Sequence, residues 1–273
     1  MRLKISHTTE YSYDEPVQYA LQRLRLTPHN QPGQTVLGWD ITVEGANLEV
    51  GYDDHFGNHT NLVSVNAERS AIRITASGEI ETEDKAGVFG QHLGYTPLWL
   101  YLRETPLTKK TKPIRNMAKS TAGDSDLARM HALMGEIHER VEYKTGATET
   151  ETTADQALEK GSGVCQDHAH IFVAAARTLG LPARYVSGYL MMDDHPEQTA
   201  THAWAEVHLN GLGWVGFDAA NKMCPDDRYV RIASGLDYKD AAPISGLVHG
   251  SANESLKVAV TVEQKQGQSQ SQS

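Results

Sequence analysis

A cysteine near the middle of the chain has the surroundings that a thiol nucleophile needs. Cys165 stands in the segment GSGVCQD, directly before the alanine-rich segment HAHIFVAAARTL, and Gly180 and Pro182 then provide a stop signal. We therefore predict a helix from Cys165 to about Leu179. In the first turn of such a helix, the positive end of the helix dipole favours thiolate over thiol, and free backbone N–H groups can stabilise an oxyanion. The alternative is a small buried cysteine that starts a helix and has no catalytic role.

A histidine and an aspartate downstream supply the partners of such a thiol. The segment THAWAEVHL alternates as a strand, WVGFD is typical of the next strand, and NGLG between them indicates a hairpin. His202 and Asp218 thus lie on neighbouring strands. Histidine is the usual base for a thiol, and a carboxylate commonly orients the histidine. We predict that Cys165, His202 and Asp218 form a catalytic triad.

The register of this hairpin decides whether His202 and Asp218 can meet. A two-residue turn would place the two side chains on opposite faces of the sheet, whereas one extra loop residue or a bulge places them diagonally adjacent on one face. The second register also makes the opposite face uniformly apolar, which suits a side that packs on the core. That face carries Ala203, Ala205, Val207, Leu209, Val215 and Phe217.

We therefore predict an added loop residue or a bulge around Leu212 and Gly213. One ring nitrogen of His202 should lie roughly 2.6–3.2 Å from the Asp218 carboxylate, and the other should face the Cys165 sulfur at about 3.5–4 Å. In this register Gly216 lies opposite Glu206, and its small size is predicted to leave space for substrate.

The elements that must position these residues fall into two parts. The first ~100 residues contain alternating, strand-like segments at 3–13, 18–27, 35–43, 47–52, 60–66 and 70–80, separated by turn-forming residues. They predict an antiparallel β-sandwich over residues 1–95. Helical spacing of apolar residues then begins, with a helix at 124–142 that Asp124 caps and a short helix at 154–160. We predict an α+β catalytic domain over 96–263 and a disordered, low-complexity tail over 264–273.

Two long segments carry a resemblance to a known family. GSGVCQDHAHIFVAAARTLGLPARYVSGYL and THAWAEVHLNGLGWVGFDAAN resemble the transglutaminase-like core of bacterial cysteine-protease-type proteins. The family's catalytic cysteine, histidine and aspartate match Cys165, His202 and Asp218, although relatives commonly have proline where this chain has Ala219. The resemblance implies a transglutaminase/papain-like α+β fold for the second domain.

The resemblance extends to both ends of the chain. HTTEYSYDEPV, RLRLTP and YDDHFGN look like the β-rich N-terminal domain of bacterial members, and VRIASGLDYKDAAPISG and LKVAVTVE are similar to their C-terminal part. The implied activity is that of a transglutaminase-like cysteine protease that cleaves peptide or amide bonds through a thioester. A transamidase or amidase with the same triad, and a non-catalytic protein-binding module, are the alternatives. The mechanism requires no cofactor.

Composition narrows the class of partner. The 35 acidic and 25 basic residues give a net charge of −10, which disfavours nucleic acid and anionic membranes and leaves a peptide or protein amide as the expected substrate. No apolar segment approaches the length of a membrane span or of a signal core. Two cysteines cannot form a disulfide framework, and a reduced thiol fits a cytosolic enzyme. We expect a cytoplasmic protein.

Other residues that can do chemistry have less favourable spacing. Zinc-ligand atoms are present on Cys165, His168 and His170, and on Cys224. On a helix, Cys165 and His168 share a face but His170 lies well round the axis from them, so no metal site is predicted. The Tyr143 hydroxyl is a possible donor to the oxyanion. Trp204 and Trp214 are expected either to line the cleft or to be buried beside the hairpin.

Overall fold

The computed structural model describes residues 1–17, 19–65, 69–192, 196–249 and 254–265. The first six strands follow one another along the N-terminal part, in agreement with the predicted alternation. They are β1 (Arg2–Val17), β2 (Tyr19–Thr27), β3 (Gln34–Glu44), β4 (Asn47–Asp53), β5 (His59–Val65) and β6 (Arg69–Thr82).

Helices and short strands alternate in the remaining part. In chain order they are β7 (Val88–Gly90), a 3-10 helix (Leu98–Leu102), α1 (Lys112–Ser120), α2 (Asp126–Arg140), β8 (Glu142–Tyr143), α3 (Ala154–Lys160), β9 (Ser162–Gly163), α4 (Cys165–Thr178), β10 (Ala183–Leu190), β11 (Glu197–Gln198), β12 (His202–Leu209), β13 (Gly213–Phe217), β14 (Tyr229–Gly235), α5 (Tyr238–Ala241), β15 (Ile244–His249) and β16 (Glu254–Gln264).

The N-terminal strands form two antiparallel sheets. One has the order β11-β16-β1-β6-β3 and the other β15-β2-β5-β4. Alternate residues such as Leu3, Ile5, Ile72 and Ile74 are buried in one apolar cluster with residues of β2 and β5. Period-2 burial of this kind is what packs one sheet face against another. The predicted N-terminal β-sandwich is confirmed.

The last two strands belong to these N-terminal sheets. Strand β16 pairs with β1 from Leu3↔Gln264 to Tyr13↔Glu254, and β15 pairs with β2. Residues 244–249 and 254–263, which the sequence assigns to the catalytic domain, thus pair with the sandwich, because a strand's pattern does not specify a distant partner. Conversely, β7 lies in the predicted sandwich segment but pairs with β13. The domain boundaries at 95 and 263 stay predictions.

The second part is an α+β core, as predicted. Its antiparallel sheet has the order β14-β10-β12-β13-β7, and α1, α2 and α3 pack against the central helix α4. The apolar face of β12 and β13 shares a buried cluster with Ile171, Phe172 and Ala175 of α4. This packing fixes the middle of α4 against the sheet that carries His202.

The helix predictions hold with one correction. Helix α3 has the predicted bounds, and α4 begins at Cys165 and ends with Leu179 as its C-cap. The cap of α2 is Ser125, whose hydroxyl accepts the Ala128 N–H, and not Asp124. Of the predicted disordered tail, residues 266–273 lie outside the described residues, while Gln264 ends β16. No helix within the described ranges is both long and apolar enough to cross a bilayer.

Candidate active site

The start of α4 places the Cys165 thiol. Val164 is extended and its N–H donates to Asp167 Oδ2 at 2.8 Å, and the Thr148 hydroxyl donates to the same oxygen at 2.5 Å. A Cβ at Gly163 would lie 2.6 Å from that oxygen, so only glycine permits this approach to the helix. Cys165 is therefore the first helical residue, as the glycine pattern predicts, and it is 9% exposed.

The β12–β13 hairpin has the register predicted from burial of its apolar face. Ala205 pairs with Phe217, Val207 with Val215, and Leu209 with Gly213, so the loop contains three residues, 210–212. The loop bends at Gly211 (φ +81°) and Gly213 (φ +78°). The predicted added loop residue is confirmed, and it places His202 and Asp218 on one face.

One detail predicted from this register is wrong. Gly216 does lie opposite Glu206, but it does not leave space for substrate. A Cβ at Gly216 would lie 2.8 Å from the Pro225 ring and 3.0 Å from Phe89, and Glu206 is fully buried. The strand register identifies Glu206 as the residue opposite Gly216, but it cannot show that another segment packs over this part of the sheet.

The structure brings the imidazole and carboxylate into direct contact. His202 Nε2 lies 2.6 Å from Asp218 Oδ2, within the predicted range. The same oxygen accepts from the Tyr229 hydroxyl and the Asn221 side-chain amide, both at 2.8 Å. Asp218 Oδ1 accepts the backbone N–H groups of Ala220 and Asn221 at 3.0 and 3.2 Å. These hydrogen bonds hold the Asp218 carboxylate in one orientation. Ala219 fits in the turn that they form, although relatives commonly have proline at this position.

Electrostatics couples His202 to both partners. Burial by itself would lower the pKa of His202, but the Asp218 charge and its hydrogen bond, together with the Cys165 side chain, raise that pKa to about 10. Burial would likewise raise the pKa of Asp218, but His202 and the hydrogen bonds from Asn221 and Tyr229 hold that pKa below its usual value. Because Nε2 is bound to Asp218, Nδ1 is the ring nitrogen left for the thiol. The predicted Nδ1–sulfur distance stays a prediction.

Aromatic and small residues surround the thiol. Cys165 packs in a buried cluster with Ala169, Tyr185 and Ala203, and Tyr238 lies against this cluster. The pKa of Tyr143 is raised to about 12 by burial and then by the charges of Cys165 and Asp218, which places its hydroxyl in the electrostatic range of the site. Tyr143 remains a candidate oxyanion donor, and its side chain is 53% exposed.

Sequence reasoning misses the two side chains that hold Asp218. Tyr229 begins a separate strand of the sheet, and no local pattern links it to a residue eleven positions earlier. Asn221 offers a weak signal, because an aspartate followed within three residues by asparagine is typical of a side-chain-stabilised turn. Tyr229 reaches the site through tertiary packing, whereas Asn221 reaches it through the turn that follows Asp218.

The remaining candidates have structural roles. The His168 ring nitrogens lie 2.8 and 2.9 Å from the carbonyl oxygens of Val164 and Val141, and His170 Nε2 accepts the Tyr238 N–H. No metal-binding group of three histidine, cysteine or acidic residues exists among the described residues. Burial raises the pKa of the Cys224 thiol to about 11. Trp204 is buried with its ring beside that of His202.

Comparison with known families agrees with this architecture. Residues 115–219 match the model of the transglutaminase-like superfamily, and residues 3–81 match that of the bacterial transglutaminase-like N-terminal region. The first match contains Cys165, His202 and Asp218, and the second covers β1 to β6 almost completely. The resemblance seen in the sequence motifs is confirmed.

Similar proteins cover nearly the whole chain. An uncharacterized protein of Mycobacterium leprae is 26% identical, with 96% of this chain and 98% of that protein covered. One of Mycobacterium tuberculosis is 29% identical, with coverages of 96% and 92%. A proposed cysteine protease from Cytophaga hutchinsonii, of known crystal structure, superposes with a TM-score of 0.78 at 22% identity over 98% of this chain and 92% of that chain. The last likeness establishes the fold.

Proposed function

We propose that this chain, which belongs to the transglutaminase-like superfamily and carries a bacterial transglutaminase-like N-terminal region, is a cysteine protease that cleaves peptide or amide bonds. The observation that carries the proposal is the contact of His202 with Asp218 beside a cysteine that starts a helix. Catalytic triads of unrelated folds are recognised by this geometry and by the roles of the three groups.

The proposed reaction begins with proton transfer. His202 Nδ1 takes the Cys165 proton, and the thiolate attacks the amide carbonyl to form a tetrahedral intermediate. Cys165 and Gln166 are the first two residues of α4, so no preceding helical turn offers a carbonyl to their N–H groups, which are suited to stabilise the oxyanion. His202 then gives its proton to the leaving amine, and a thioester forms on Cys165.

The second half releases the acyl group. A water molecule loses a proton to His202 and attacks the thioester, which yields a carboxylic acid and restores the Cys165 thiol. If an amine attacks in place of water, the same steps yield a new amide, so a transamidase uses the same residues, whereas an amidase uses the hydrolytic steps on a different amide. Asp218 keeps Nε2 protonated throughout and stabilises the imidazolium.

We further propose that the substrate is a peptide or protein amide and that the protein is cytoplasmic. The net charge of −10 supports a substrate that is not a polyanion.

Acetyl transfer from p-nitrophenyl acetate tests the proposal without a known substrate. We expect a burst of p-nitrophenol and an acetyl group on Cys165 by mass spectrometry, which Cys165→Ala abolishes and the control Cys224→Ala retains. Added hydroxylamine would attack the acyl group on Cys165 and form a hydroxamate. The ratio of hydroxamate to acetate then measures how much of the acyl group is transferred to an amine and how much is hydrolysed. A folded protein with no acyl group on Cys165 would favour the protein-binding module.

A further inference from the structure

A second cluster of charged residues lies on the His202 face of the core sheet. Glu206 is four residues beyond His202 on β12, or about 13 Å along the strand. Arg184 of β10 donates from Nε to Glu206 Oε2 at 2.6 Å, and Arg231 of β14 reaches the same oxygen at 3.4 Å. Glu206 is fully buried and Arg184 is 6% exposed. None of these side chains takes part in the proposed reaction.

The cluster has an excess of positive charge. Two guanidinium groups share one carboxylate oxygen, and the second contact of Arg231, to the Ser234 hydroxyl, is also long at 3.4 Å. Burial and then the Arg184 charge lower the pKa of Arg231 to about 10, so Arg231 stays charged at neutral pH. Asp53 and Asp54, just before the Phe56–Asn58 segment, pair with His59 and Arg25 and not with Arg184 or Arg231.

Both arginines line a cavity of about 220 Å³ between the core sheet and the loops of the sandwich. Its other walls include the aromatic residues Phe56, Phe89, Tyr101 and Trp214. The Arg184 guanidinium lies 4.0 Å from the centre of the Trp214 ring. Trp214 itself donates to His92 Nδ1 at 3.1 Å, so its ring is fixed in place. The cavity wall therefore contains the Arg231 guanidinium, whose charge is only partly neutralised, next to a fixed aromatic surface.

We propose that this cavity is a binding site for a small organic carboxylate with an apolar or aromatic body. Guanidinium groups bind carboxylates with strong, charge-assisted hydrogen bonds. Arg231 is the principal contact, because Arg184 is already bound to Glu206, and the aromatic walls receive the body of the ligand. The site is separate from Cys165 and does not rest on the proposed hydrolytic function.

Titration of the full chain with benzoate, benzamide and inorganic phosphate tests this site by calorimetry. We expect benzoate to bind once per chain, and its neutral isostere benzamide to bind about tenfold or more weakly. Inorganic phosphate lacks the apolar body and should also bind more weakly. Cys165→Ala should bind benzoate as the wild type does, so a failure of the catalytic proposal would leave this result unchanged.

Two variants locate the binding. Arg231→Gln should weaken benzoate binding about tenfold or more, and Gln91→Trp should also weaken it, because Gln91 is an exposed residue at the cavity wall and indole would occupy the space. Arg115→Gln, on the exposed face of α1, is the matched control and should change nothing. The proposal is wrong if benzoate fails to bind at millimolar concentrations, if benzamide or phosphate binds as tightly, or if neither cavity variant weakens binding.

Discussion

At the residue scale, the site depends on a buried carboxylate that is fully hydrogen-bonded. Five donor groups from four residues reach Asp218: His202, Ala220, Asn221 twice, and Tyr229. An ionised carboxylate in a buried position is stable only when its oxygens are paired in this way. The consequence for His202 is a fixed ring, with one nitrogen committed to Asp218 and the other left for Cys165.

The raised pKa of His202 makes its stabilising effect depend on pH. Because the folded-state pKa is about 10 against 6.5 for an unperturbed ring, the stabilisation is complete below pH 6.5 and is lost as the pH rises to about 10. We expect His202→Gln to lower the free energy of unfolding by roughly a few kcal/mol at pH 6. At pH 10 the loss should be much smaller. Urea unfolding at both pH values measures it, and equal losses would contradict the coupling to Asp218.

At the element scale, the hairpin between β12 and β13 assembles the site. Its register is predictable from the sequence because burial of one apolar face excludes the alternative pairing, and the interactions are local. The requirement for glycine at position 213 comes from a distant strand and is not predictable from the hairpin sequence. A Cβ there would lie 2.0 Å from the carbonyl oxygen of Gly90 in β7, a strand more than 120 residues earlier.

Two glycines of this hairpin form a matched pair for experiment. Both have positive φ, but a Cβ at Gly211 would meet open space, whereas one at Gly213 would meet β7. We expect Gly211→Ala to cost only backbone strain, about 1–2 kcal/mol. Gly213→Ala adds a steric clash and should cost at least about 3 kcal/mol. Equal free energies of unfolding for the two variants would show that β7 does not constrain the loop.

At the scale of the whole molecule, the two parts share elements. Strands β15 and β16 pair within the N-terminal sheets, and Tyr189, Val230 and Ile232 of the core sheet, with Met191 just after β10, lie in the sandwich's apolar cluster. Fold class, the start of α4 and the triad candidates follow from patterns within short segments. The partners of β15 and β16 arise from pairing over long sequence separations, and the contact of Tyr229 with Asp218 arises from side-chain packing between two elements; periodicity encodes neither.

The central claim is that Cys165 is a nucleophile activated by His202, and the rate of alkylation tests it most directly. The two thiols of the chain provide an internal comparison, because burial raises the pKa of Cys224 to about 11 and so disfavours its thiolate at neutral pH.

Mass spectrometry of iodoacetamide-treated protein at pH 7 would give the rate at each cysteine. We expect Cys165 to react about tenfold or more faster than Cys224, and His202→Ala to slow Cys165 alone. Equal rates at the two thiols in the folded wild-type protein, or a Cys165 rate that His202→Ala does not change, would contradict the claim.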